Sequence, residues 1–124
     1  MLVSIHHLQI CAPRACENAA RKFYSELLGL LEIEKPVELK KRGGVWFEMG
    51  SGQQLHIGVE ENFKPPQKAH PAFSVVGLDA LREKLNAAGY ETQDDELFIG
   101  YNRFYVRDPF GNRIELVEPL QGNT

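Results

Sequence analysis

The sequence has no long apolar run. Nothing in it approaches the roughly 20 consecutive apolar residues that a membrane-spanning helix needs, so no membrane partner is expected. It has no basic run either, and its formal net charge is −3, which argues against nucleic acid as a partner. There are only two cysteines, Cys11 and Cys16, too few for a disulfide framework. The opening "MLVSIHHLQI" is broken by Ser4, His6 and His7 and does not read as a secretory leader. These absences together predict a cytoplasmic protein with free thiols.

What is present is ordinary in bulk and unusual in arrangement. The 124 residues are 43% hydrophobic and 25% charged, enough for one compact domain with a real core. Strand patterns at 2–11, 30–35, 45–50 and 53–60 surround a helix that starts near Pro13. Its apolar face is Ala20, Phe23, Tyr24, Leu27 and Leu28, and Gly29 stops it. A turn is expected at "KKRGG" (40–44). The polar stretch 61–69, with Pro65 and Pro66, reads as a linker. Strand patterns resume at 70–76, then a helix with Leu78, Leu81, Leu85 and Ala88 on one face, then strands at 90–96, 102–108 and 112–118. The tail "QGNT" is expected to be loose.

This order is β-α-β-β-β, linker, β-α-β-β-β: the chain repeats itself. With Gly52 set on Gly111, Leu55 meets Ile114, Ile57 meets Leu116, and His56 meets Glu115. On the opening strands, His7 meets His70. Strand alternation turns each of these four residues away from its apolar neighbours. A lone His or Glu on such a strand is more often solvated or hydrogen-bonded than a ligand. Four of them at equivalent places in a repeat are a plausible divalent-metal set. His6 has no counterpart and falls on the apolar-facing side of its strand, so it takes the structural reading.

The motifs "HHLQI" (6–10), "ARKFYSELLGL" (20–30), "HPAFSV" (70–75) and above all "DPFGNRIELVE" (108–118) resemble the vicinal oxygen chelate superfamily. That family includes glyoxalase I, fosfomycin-resistance proteins, methylmalonyl-CoA epimerase, extradiol dioxygenases and bleomycin-resistance proteins, and the resemblance spans residues 3 to 119. It implies an α+β fold in which paired βαβββ modules form a cup-shaped mixed sheet with helices on the outer face. One domain, 1–124, would comprise module one (about 2–60), the linker 61–69 and module two (about 70–119).

By the same resemblance, His7, His70 and Glu115 fall on the family's metal ligands, with His56 at a fourth position where the family varies. Glyoxalase I typically carries Glu there, so His56 argues against lactoylglutathione lyase activity. The implied cofactor is one divalent ion: Zn, Mn, Ni, Co or Fe. Three neutral imidazoles and one carboxylate leave a net charge of about +1 on such a site, which favours an anionic substrate that chelates through adjacent oxygens.

Glu115 and Tyr105 are the catalytic candidates. Gln9, Trp46, Arg103, Tyr105 and Arg107 are the substrate-binding candidates, Glu48 is a weak candidate base, and 97–103 is a candidate loop over the cup. The implied partner is a second copy of the chain, the homodimer sharing the site: His7 and His56 from one copy, His70 and Glu115 from the other. The implied function is a metal-dependent lyase, isomerase or transferase acting on a small oxygenated molecule. The alternatives are an Fe(II) dioxygenase and a non-catalytic binding or resistance protein. Bleomycin-binding members lack the ligands, so the intact set here argues against a metal-free binder.

Overall fold

The structure, a computed structural model, describes residues 1–96 and 98–120. Leu97 of the candidate loop and the tail 121–124 lie outside the described residues. The chain divides into two compact units, Met1–Pro65 and Pro66–Thr124, parting inside the proline-containing linker.

In the first unit, β1 (His7–Ala12) leads to α1 (Glu17–Ala20), which continues as a π-helical stretch, Arg21–Leu27. Then come β2 (Leu31–Ile33), a 3-10 turn Val37–Arg42, β3 (Val45–Glu48) and β4 (Gln54–Val59). The sheet order is β1-β4-β3-β2, with β1 parallel to β4 and the other pairs antiparallel. In the second unit, β5 (Ala72–Ser74) leads to α2 (Leu78–Ala87), β6 (Thr92–Gln93), β7 (Tyr101–Arg107) and β8 (Arg113–Pro119). Its order, β5-β8-β7-β6, again has one parallel pair at the β5 edge. Each unit is therefore a βαβββ module with a four-stranded mixed sheet, and the whole is a small α+β protein.

One face of each sheet is apolar because alternate residues are. Val45, Phe47, Leu55 and Ile57 are buried in the first unit with Phe23 and Tyr24 of the helix. Phe104, Val106, Ile114 and Leu116 are buried in the second with Leu78 and Leu85. Gly44 is needed where the chain enters β3. It sits at φ +87°, and a Cβ there would come 2.1 Å from the Ile57 carbonyl oxygen, so only glycine brings β3 this close to β4. In module two, Glu118 on β8 accepts from the Gly77 and Leu78 N–H groups at 2.7 and 3.1 Å, satisfying donors that the start of α2 leaves open.

Several boundaries differ from the sequence expectation. The first strand starts at His7 and not at residue 2, because β4 offers partners only from Gln54, which lies opposite His7. Leu2, Val3 and Ile5 are exposed. His6 thus lies before the strand and is exposed, not on a core-facing side. The first helix starts at Glu17, not Pro13, because Ala15 is left-handed (φ 65°) and cannot continue a right-handed turn. "KKRGG" is the end of the 3-10 turn followed by Gly43 and Gly44. Ala88 lies past the end of α2 and is exposed.

The "DPFGN" segment builds the turn that aims β8. Asp108 is buried, its Oδ1 accepts from the N–H groups of Phe110 (2.9 Å) and Asn112 (2.8 Å), and its Oδ2 accepts from Asn112 Nδ2 (2.9 Å). Replacing Asp108 by Ala should destabilise the protein by about 2 kcal/mol, since several charge-assisted bonds go and buried donors lose their acceptor. Urea unfolding of Asp108→Ala beside wild type measures it, and an unchanged midpoint would show that the turn does not need the carboxylate.

Candidate functional site

The polar face of each sheet carries the candidate residues in matching register. Trp46 lies opposite His56 across β3–β4, and Tyr105 lies opposite Glu115 across β7–β8. Gln9 lies opposite His56 as Ala72 lies opposite Glu115. The duplication inferred from sequence is therefore a duplication of strand register.

In module one, His56 is buried and stacks on two rings: Trp46, with centroids 3.7 Å apart and planes 2° apart, and His7, 4.2 Å and 16°. Two rings that both lie parallel to His56 at stacking distance must take opposite faces, so the imidazole is sandwiched and only its edge is open. Its Nε2 is 2.9 Å from the Gln54 side-chain amide oxygen. Burial, then the neighbouring His7, His6 and Lys35, lower its pKa to about 4, so the ring is neutral across the physiological range. His7 is exposed and its Nδ1 meets His6 Nδ1 at 3.0 Å. The side chain of Gln9 lies across Gly58, so close that a Cβ there would sit 2.8 Å from Gln9 Nε2.

In module two, Glu115 is buried. Its Oε1 is 3.0 Å from His70 Nε2 and its Oε2 is 3.4 Å from Arg103 Nη1. His70 Nδ1 is 2.8 Å from the Lys68 carbonyl oxygen. A carbonyl can only accept, so Nδ1 carries a proton and Nε2 is the nitrogen turned to the carboxylate. A nitrogen and a carboxylate oxygen at 3.0 Å hold a proton or a cation between them. Tyr105, edge-on to His70 with centroids 5.2 Å apart, accepts at its hydroxyl from Arg103 Nη1 (3.2 Å). Burial first, then the hydrogen bond to Glu115, push its pKa up, which keeps the phenol protonated and able to donate.

The Glyoxalase/Bleomycin resistance protein/Dioxygenase superfamily model matches residues 4–116. The chain belongs to this superfamily. A solved glyoxalase family protein from Bacillus anthracis is 51% identical, covering 96% of this chain and 97% of that one, with a TM-score of 0.91. At lower identity the fold alone is shared. A lactoylglutathione lyase from Agrobacterium tumefaciens is 23% identical, covering 96% of each chain, TM-score 0.71. A genomically encoded fosfomycin resistance protein from Listeria monocytogenes is 17% identical, covering 98% and 97%, TM-score 0.77. No curated protein matches.

The superfamily generally uses a divalent metal, and the donor chemistry here fits one in module two. Two neighbouring ligands each about 2.1 Å from an ion, at about a right angle, stand about 3.0 Å apart, the separation of His70 Nε2 and Glu115 Oε1. The Lys68 carbonyl is the partner that a metal-binding imidazole ordinarily has on its far nitrogen. The four candidates come together as two pairs, His7 with His56 and His70 with Glu115. Among the described residues no three His, Cys, Asp or Glu side chains converge on one ion position.

Of the other candidates, Arg103 is drawn to Glu115 and Tyr105, but Arg107 is not. It is exposed and bonds the Gly111 carbonyl at 3.1 Å, because it lies at the turn end of β7, opposite Arg113. The basic residue that reaches Tyr105 is Arg113, its guanidinium 3.9 Å from the ring centroid. The sequence did carry that signal: Arg113 lies two positions before Glu115 on the same strand face, as Gln54 lies before His56.

Proposed function

We propose that this protein is a divalent-metal-dependent enzyme of the glyoxalase type, a lyase, isomerase or transferase acting on a small oxygenated substrate that binds through adjacent oxygens. The observation that carries this reading is the Nε2 of His70, its Nδ1 tied to a carbonyl, standing 3.0 Å from the buried Glu115 carboxylate, a pair of donors that a cation can bridge. His70 and Glu115 are ligands, with His7 and His56, neutral across the physiological range, completing the set. When bound, the ion supplies Lewis-acid polarisation of the substrate oxygens. Tyr105 donates its hydroxyl to the oxygen on which negative charge develops. Arg103 stands beside the Glu115 carboxylate at 3.4 Å and, with Trp46 and Gln9, lines the substrate's place. The two pairs are joined across a homodimer, His7 and His56 of one copy meeting His70 and Glu115 of the other.

Metal content tests this directly. Protein purified without chelator, or dialysed against Zn²⁺, Mn²⁺ or Ni²⁺, should hold about one ion per ligand set. His70→Ala should lose it while keeping its far-UV circular dichroism. Dilution to monomer should release the ion as well. Folded wild type that binds none of these ions, nor Fe²⁺ or Co²⁺ under nitrogen, would remove the reading. Retention of full affinity in a monomer would remove the shared site alone.

A further inference from the structure

Module two carries a second cluster beside the proposed ligands. Arg113 lies over the Tyr105 ring and Arg103 lies 5.6 Å from the same centroid. Both guanidinium groups turn toward one carboxylate, Asp95 on the segment after β6. Arg103 Nη2 is 3.5 Å and Arg113 Nη2 is 3.9 Å from Asp95 Oδ2. The other oxygen, Oδ1, accepts from the Glu96 N–H at 2.7 Å.

The arginine side of this cluster is poorly satisfied. A bidentate arginine–carboxylate pair has N···O distances of about 2.7–2.9 Å. Among the described residues the polar contacts of Arg103 are all longer: 3.2 Å to Tyr105, 3.3 Å to the Glu96 carbonyl, 3.4 Å to Glu115 and 3.5 Å to Asp95. Its Nε–H is buried with no acceptor among the described residues. A buried donor without a partner costs free energy that a better-placed acceptor would recover. Asp95, by contrast, is more than a third exposed, so water can take over its contacts with Tyr105 and the two arginines.

We infer that Arg103 and Arg113 form an anion site over Tyr105 that Asp95 fills as a stand-in, and that the substrate is a small carboxylate whose anionic group displaces Asp95 there. This rests on the reading above for the substrate-facing role of the Glu115 face, and it deepens that reading by giving the substrate class. Two planar forks beside a phenol suit a planar two-oxygen group, and Asp95 brings a carboxylate to both of them, though only through one oxygen and at 3.5 and 3.9 Å.

The test uses metal-free protein, so that the metal reading does not enter it. Glycolate is titrated at constant ionic strength, with ethylene glycol as its uncharged counterpart, and read by the amide signals of Asp95 and Glu96 and the guanidinium signals of Arg113. Glycolate should saturate and ethylene glycol should not. Asp95→Asn should bind glycolate about tenfold more tightly, because the internal competitor no longer lowers the fraction of open sites. Arg113→Lys, which keeps the charge and loses the fork, should weaken binding about tenfold. Failure to saturate, equal binding of ethylene glycol, or weaker binding by Asp95→Asn would each overturn the inference. Metal content is measured on the same preparations. Bound metal without glycolate saturation therefore defeats this inference alone, and glycolate saturation without metal defeats only the metal reading.

Discussion

Replacing Glu115 by Gln should lower divalent-ion affinity on the order of 10³-fold while the protein stays folded. Glutamine keeps the volume of the side chain and one oxygen, so the strand between Ile114 and Leu116 keeps its packing. What it removes is the negative charge, and with it the main attraction for a cation beside the His70 imidazole. Losing a partner outside the ligand set typically costs 10–100-fold in metal affinity, and losing the charged ligand itself should cost more. Competition with a chromophoric chelator gives the dissociation constants, and circular dichroism shows whether the fold survives. Within the metal-free variant, the new side-chain amide can still donate to His70 Nε2 or accept from it, so the contact itself survives. Equal affinities in the two proteins would mean that the carboxylate is not a ligand, and the 3.0 Å contact would then be a proton shared between His70 and Glu115.

Much of the fold was legible because two periods are written into the sequence. Leu55 and Ile57, and again Ile114 and Leu116, alternate with the polar residues between them, and the same alternation recurs one module later. The register that follows, Trp46 on His56 and Tyr105 on Glu115, could be read by superposing the halves. The boundaries were not legible for physical reasons. A strand ends where its neighbour ends, so "LVSI" has strand propensity but no partner before His6. Helix starts depend on single backbone conformations such as that of Ala15. The π-helical stretch, in which the Leu28 N–H reaches the Phe23 carbonyl five residues back at 3.0 Å, leaves no mark that a 3.6-residue spacing would detect.

The candidate site was legible in its strand-borne parts and not in its loop-borne parts. Alternation gives the face of His56, Glu115, Trp46 and Tyr105, and the internal repeat and the family resemblance singled them out on it. Asp95 follows from nothing in its own segment, "QDDE", where either aspartate reads as a solvated turn residue. Only the fold shows that Asp95 faces Arg103 and Arg113, while Asp94 pairs with Arg82 at 2.7 Å. Arg107 was named from sequence and Arg113 was not, and the structure sets them apart for a related reason. Both arginines share the polar faces of β7 and β8, but Arg107 is next to the Asp108 turn, and a nearby backbone carbonyl captures it before it can reach the site.

The metal-free protein should lose about 3 kcal/mol of stability between pH 7 and pH 4 through His56 alone. In the unfolded chain its imidazole takes up a proton near pH 6.5. In the folded protein burial between Trp46 and His7, and the charges of His7, His6 and Lys35, hold that step down to about pH 4. The folded pKa is the depressed one, so between these values the unfolded state binds the proton and the folded state does not. The contribution is complete above about pH 6.5 and is lost as pH falls to about 4, a gap of roughly 3 kcal/mol. His56→Phe keeps a ring in the sandwich and cannot titrate. Urea unfolding of both proteins in chelator at pH 7, 5.5 and 4 isolates the effect, because every other titrating group is common to the pair. The wild type should lose stability relative to His56→Phe as pH falls, and parallel curves would show that the imidazole is not desolvated. The same burial that makes the fold acid-sensitive keeps the ring neutral in the native state. Protonation of His56 therefore competes with a cation only as pH approaches about 4, and a site assembled from this ring loses its metal in milder acid through its other ligands or through unfolding.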